Sequence, residues 1–247
     1  MEEPQGREKN LPMENLVSRY REILEDSPLN RAAEWKAQHP GSKVIGCYPV
    51  YTPVEIIHAG GMLPIGIIGG GNRIEIAHAD SRFQSFVCSI VKSTLELGLT
   101  GKLGFLDGIV FHSICDPARN LASVFKRNFP QMQVEYIHFP QNMASPHSEN
   151  YLAAEYQKLK ASYERLAGRP ITDDDLRNSI RLYNQQRNLI RDLYRIRRET
   201  PQNLSTLETY VLTRIGTLIP PEEHIAVLRE ATEAASQRNE KPKDRIK

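Results

Sequence analysis

A chain of 247 residues with 40% hydrophobic and 25% charged side chains is long enough to bury a real core, as one large domain or two small ones. Its net charge is only +2, with Lys and Arg mixed among Asp and Glu, so no electrostatic footprint for nucleic acid stands out. The opening MEEPQGREKNLPMEN is polar, and no apolar run reaches the roughly 18–20 residues of a membrane span, so the expectation is a soluble, cytoplasmic protein without membrane or nucleic-acid partners.

Residues 1–12 read as a disordered tail. From about Glu14, Leu16, Val17, Tyr20 and Leu24 recur at three- and four-residue steps, the spacing of one helix face. Pro28 opens a second helix carrying Leu29, Ala32, Ala33 and Trp35, which stops at His39-Pro40-Gly41. Four short apolar runs follow: KVIGCY (43–48), MLPIGII (62–68), LDGIVFHSI (106–114) and QVEYIHF (133–139). All are rich in β-branched or aliphatic residues, as buried parallel strands are. Helices are expected between them from near Thr52-Pro53, Asp80-Ser81 and Asp116-Pro117, each with a capping residue. The alternation predicts an α/β fold, a Rossmann-like lobe of about four parallel strands, followed by a mostly helical region.

Beyond about Pro140 the strand pattern disappears. One helix is expected over 151–166, ended by Gly168-Arg169-Pro170, and a long one is capped by 172–175 and runs to about Arg198. Pro201, Ser205 and Pro220-Pro221 punctuate two more. The expected division is N-terminal helices plus the α/β lobe over 13–140 and a helical region over 141–240. KPKDRIK, 241–247, reads as a linker into a second α/β lobe.

In an open α/β sheet, ligands bind outside the carboxyl ends of the strands. Cys47, the turn Gly69-Gly70-Gly71, and His112 with Cys115 fall there, and Cys88 falls in the helix expected after the second strand. Three widely spaced cysteines, without a secretory signal, indicate reduced thiols rather than a disulfide framework. Three thiolates with one open position can hold an iron-sulfur cluster. Spacing alone favours the plainer reading, that each is a small buried hydrophobe. Gly70 and Gly71 could let a backbone approach a phosphate, but neither the GxGxxG order nor a Walker lysine is present, and a flexible loop is the simpler account. His112, three residues before Cys115, is a proton-transfer candidate. Glu55 suits acid-base work or, more simply, a helix first turn. Arg119 and Asn120 suit an anion such as a CoA phosphate, or a solvated helix face.

Three long segments carry a resemblance: GCYPVYTPVEIIHAGGMLPIGIIGGG (46–71), ADSRFQSFVCSIVKSTLELGL (79–99) and DGIVFHSICDPARNLA (107–122). They resemble the benzoyl-CoA reductase and 2-hydroxyacyl-CoA dehydratase family, in particular the C-type subunit of the ATP-dependent reductases. The resemblance continues into ETYVLTRIGTLIPPEEHIAVLRE near the end. It implies a subunit that pairs with a homologous cluster-bearing partner, each holding a 4Fe-4S cluster through three cysteines. It also implies an ATP-hydrolysing activator that supplies low-potential electrons, which reduce the ring of an aromatic CoA thioester to a cyclic diene. In the dehydratases a ketyl radical expels a hydroxyl group instead. On this footing Cys47, Cys88 and Cys115 are the implied metal ligands. Two departures stand out. The dehydratases' first ligand position is Pro49 here, with Cys47 two residues earlier in a G-C-x-P form, and of the family's paired glutamates the first is Val54 and only Glu55 remains. The family's last cysteine belongs to a second lobe, so Cys115 either completes the set or neighbours a ligand supplied there. A dehydratase subunit and a truncated, cluster-free module for CoA esters or a protein partner are the alternatives.

Overall fold

The computed structural model describes residues 12–26 and 28–238; the expected tail before Pro12 and the linker over 241–247 lie outside the described residues. The chain divides into two compact units, one of Leu29–Arg181 and one of Met1–Pro28 with Leu182–Lys247. No described helix is long and apolar enough to cross a membrane.

The first unit is built on a sheet of four parallel strands, β1 (Val44–Cys47), β2 (Leu63–Gly66), β3 (Gly108–His112) and β4 (Gln133–Ile137), in the order β2-β1-β3-β4. Every residue of β1 and β3 is buried, which explains why the central strands are continuous apolar runs, whereas β4, at the edge, buries only Val134 and Ile137. Successive side chains point to opposite faces. Val44 and Tyr48, at and just after β1, and Ile109 and Phe111 of β3 enter one core. That core holds Ala32 of α2 (Pro28–Gln38), Val91 and Leu95 of α4 (Ser89–Leu99), and Leu121 and Phe125 of α5 (Asp116–Asn128). Ile45, Cys47 and Val110 enter the other, with Ile57 of α3 (Val54–Ala59) and Leu159 and Tyr163 of α6 (Ser148–Ala167). Gly168, left-handed at φ 69°, terminates α6 as its sequence signal requires.

One connection departs from the sequence expectation. A helix from Asp80-Ser81 is replaced by a 3-10 turn, Ala79–Arg82, with Phe83 extended after it, and α4 begins only at Ser89. The cause lies in α4 itself. Its Glu96 is 1% exposed and accepts from His78 N, His78 Nδ1 and Ala79 N, while buried Lys92 donates to Asp80 and to Ser85 O. These ties anchor the segment as a loop, and Cys88 becomes the N-cap residue of α4 rather than an interior helical residue.

In the second unit α1 (Pro12–Asp26), the later turns of α7 (Asp173–Glu199), α8 (Thr206–Ile215) and α9 (Pro221–Ser236) enclose a core of Leu16, Tyr20, Leu193, Leu212 and Leu228. Ser205 caps α8 in a reciprocal box, its hydroxyl accepting from Glu208 N and the Glu208 carboxylate accepting from Ser205 N. Buried His224 bridges Gln186 Nε2 at its Nδ1 and Leu212 O at its Nε2, both at 2.7 Å. Gly216 leaves room for that ring, since a Cβ there would overlap it.

Candidate functional site

β2 and β3 flank β1, so the chain leaves β1 to one side and returns to the other. The topological switch point is therefore at the carboxyl ends of β1 and β3, where open sheets form their crevices. Tyr48 N donates to Val110 O, and the segments after β1 and β3 run side by side from there.

The alternation of β1 separates the three cysteines. Cys47 is buried among Ile45, Val110 and Tyr163, and burial pushes its thiol up to about 12. Cys88 and Cys115 are exposed, and each is the N-cap residue of a helix, of α4 and α5, both packed on the opposite face from Cys47. They share a neighbour: the Tyr48 phenol is pushed up by burial and, further, by Cys88 and by Cys115. Cys88 and Cys115 thus both act electrostatically on Tyr48, while Cys47 lies in the core on the other face of the sheet. Among the described residues no group of three His, Cys, Asp or Glu side chains is placed to hold a metal ion.

His112, the last residue of β3, is fully buried, with Tyr51 and Phe139 rings at 5.8 and 6.0 Å. Its Nε2 lies 2.9 Å from Tyr48 O, an acceptor, so Nε2 carries the proton and donates. Burial depresses its pKa, opposed by that carbonyl, and its Nδ1 is buried without a hydrogen-bond partner. His112 therefore ties the two strand ends together as a neutral ring. Glu55 sits half-buried in the first turn of α3, close enough to Tyr156 to help burial raise that phenol.

Packing explains two glycines of the turn, while Gly71, at φ 57° with no atom within 4 Å of a Cβ position, is required by its backbone alone. Gly69 has φ 77°, and a Cβ there would overlap Ser93 and lie 3.2 Å from Ile90 O; a Cβ on Gly70 would overlap Ile74. Close approach to α4 accounts for this glycine without a phosphate.

Arg119 and Asn120 are exposed on α5. Arg119 lines a cavity of ≈760 Å³ with Cys115, Tyr136, His138, His147 and Tyr151, whereas Asn120 is not part of its wall. Tyr136, His147 and Tyr151 escape sequence reasoning, because nothing in a strand residue or a loop histidine marks it as cavity-lining. Burial raises the Tyr136 phenol and nearby Arg119 opposes this; its hydroxyl is enclosed near Ser113 without completing a hydrogen bond.

Around the carboxyl edge the large apolar side chains are exposed: Val50 and Tyr51 after β1, Ile68 after β2, Phe86 before α4, Ile114 after β3 and Met143 after β4. Phe86 is 83% exposed and Tyr51 60%.

Residues 49–247 match the family model described as 2-hydroxyglutaryl-CoA dehydratase, D-component. The chain is 43% identical to the C-type subunit of benzoyl-CoA reductase from Thauera aromatica, over 90% of its own length and 57% of the relative's. It is 30% identical to the beta subunit of (R)-2-hydroxyglutaryl-CoA dehydratase from Acidaminococcus fermentans, over 83% of the chain and 53% of the relative. To the beta subunit of (R)-phenyllactyl-CoA dehydratase from Clostridium sporogenes it is 27% identical, over 83% and 54%. The chain spans about half the length of the curated relatives it matches.

Proposed function

The chain belongs to the 2-hydroxyglutaryl-CoA dehydratase, D-component family, and from that premise we propose that it is a subunit of a CoA-thioester reductase of the benzoyl-CoA reductase type. In this reading it delivers low-potential electrons to the ring of an aromatic CoA thioester and works with a homologous subunit and an ATP-hydrolysing activator. The observation that carries it is the pair of exposed thiols, Cys88 and Cys115, that open α4 and α5 on one face of the sheet.

The donor set fits a 4Fe-4S cluster in part. Cys88 and Cys115 would supply two thiolate ligands from the ends of α4 and α5, where helix N-termini favour a bound anionic group. Cys47 does not fit with them, because it is buried beside Tyr163 on the other face of the sheet, so the remaining ligand is assigned outside these three cysteines. When bound, such a cluster supplies single electrons at a potential tuned by burial and hydrogen bonding. The chain's own contribution is placement. The Lys92 and Glu96 ties hold the segment that presents Cys88, and the exposed apolar rim supports a site completed and dried by a partner surface.

Anaerobic reconstitution with iron and sulfide, followed by metal analysis, tests this. Cys88→Ser and Cys115→Ser are expected to lose iron, and Cys47→Ser to retain it. Full iron content in Cys88→Ser would falsify the assignment. The 30% identity to a dehydratase beta subunit supports a second reading, a 2-hydroxyacyl-CoA dehydratase subunit, and product analysis of the assembled enzyme with benzoyl-CoA and with a 2-hydroxyacyl-CoA separates the two.

A further inference from the structure

We propose that the groove along α5 and the end of β4 binds a coenzyme A thioester lengthwise, with the acyl end at Cys115 and the phosphates at Arg119 and Lys126; this rests on the CoA-ester reading above. The ≈760 Å³ cavity beside Cys115 and a second of ≈340 Å³ beside Lys126 share Arg119, Tyr136 and His138 as common wall, so they form one elongated depression. From Cys115 to Lys126 the helix rises about 16 Å, which suits an extended ligand rather than a small anion.

The two ends differ in chemistry. Ile114, Phe139 and Tyr151 beside Cys115 present apolar and aromatic surface, suited to an acyl group. At the other end Arg119 and Lys126 are seven residues apart on α5, hence on one face two turns apart. Both are exposed, and neither makes a salt bridge among the described residues. Between them the enclosed Tyr136 hydroxyl lacks a partner, and the His138 ring stands edge-on to Tyr136 at 4.6 Å. Two acids also line the groove, Asp116 and Glu135, and Glu135 already accepts from Ser162 Oγ and Gln133 Nε2. A polyanion with a neutral, acylated far end matches this polarity, whereas inorganic phosphate would engage one end alone.

The test is calorimetric titration of the full chain with CoA, 3′-dephospho-CoA and benzoyl-CoA. Arg119→Gln and Lys126→Gln are each expected to weaken CoA binding by about tenfold or more, the loss of one charge-assisted contact. Lys102→Gln, in the turn after α4, is expected to leave it unchanged. In the chain before reconstitution, benzoyl-CoA should slow alkylation of Cys115 more than CoA does, which reports the orientation. Wild-type binding that both variants retain overturns the groove and leaves the CoA-ester reading standing. Failure of the wild-type chain to bind any of the three counts against that reading itself. Equal protection of Cys115 by CoA and benzoyl-CoA overturns the orientation.

Discussion

The helical unit and the carboxyl edge of the sheet treat their buried polar groups in opposite ways. In the former, Ser205 caps α8 with its side chain, Arg238 donates to Glu208 and to Asn203 O, and both nitrogens of buried His224 are hydrogen-bonded. At the latter, the N-cap residues Cys88 and Cys115 make no side-chain cap bond, one nitrogen of buried His112 has no partner, and Phe86 and Tyr51 face outwards. Satisfied groups indicate a region whose work is stability. Groups left open in a folded chain are not selected by stability alone, and here they coincide with the proposed site.

The widest separation between the two regions should come from large apolar residues. Leu212→Ala, in the helical core, is expected to cost about 2–5 kcal/mol, while Phe86→Ser at the edge should change stability by less than about 0.5 kcal/mol. Urea unfolding of both variants measures this. A large loss from Phe86→Ser would mean that the edge is already covered in the free chain. Next come the two buried histidines. His224→Leu orphans Gln186 Nε2 and should cost roughly 2–4 kcal/mol, whereas His112→Leu removes one of two donors to Tyr48 O, leaving Thr52 Oγ1 at 3.4 Å, and should cost less than about half as much. Comparable losses would show that the open nitrogen of His112 is satisfied in solution. A smaller contrast concerns the helix caps. Ser205→Ala should cost about 1 kcal/mol, and Cys88→Ala or Cys115→Ala close to nothing, because neither thiol caps its helix.

Most of the fold is legible in the sequence. The four strands fall inside the apolar runs that predict them, and α5, α6, α8 and α9 begin or end at their capping and proline signals. The segment before α4 is not, because Lys92 and Glu96 read as polar helix positions and their pairing with Asp80, His78 and Ala79 is tertiary. The candidate site is legible as an edge but not as a constellation. Strand periodicity does place Cys47 and Tyr48 on opposite faces. Which face carries Cys88 and Cys115 depends on where α4 and α5 pack, and no local pattern contains that.

The mildest test of the contrast is pH, and the two histidines supply it. Burial depresses both His112 and His224, so the folded chain holds each neutral while the unfolded chain titrates near about 6.5. The unfolded state therefore binds more protons between the folded and unfolded pKa values. Stability is complete above the unfolded value and falls as pH drops below it towards the lowered folded values. The slope per histidine cannot exceed about 1.4 kcal/mol per pH unit. At His224 both nitrogens are already engaged, and protonation of Nδ1 sets a proton against the Gln186 amide donor, so that unit must loosen to accept it. At His112 the open Nδ1 can take a proton without breaking a bond, and only burial resists. Urea midpoints of the wild-type chain and of His224→Leu and His112→Leu, followed from pH 8 to pH 5, should therefore lose more of their acid sensitivity in His224→Leu. If His112→Leu flattens the profile more, the edge rather than the helical unit is the acid-labile part of the molecule.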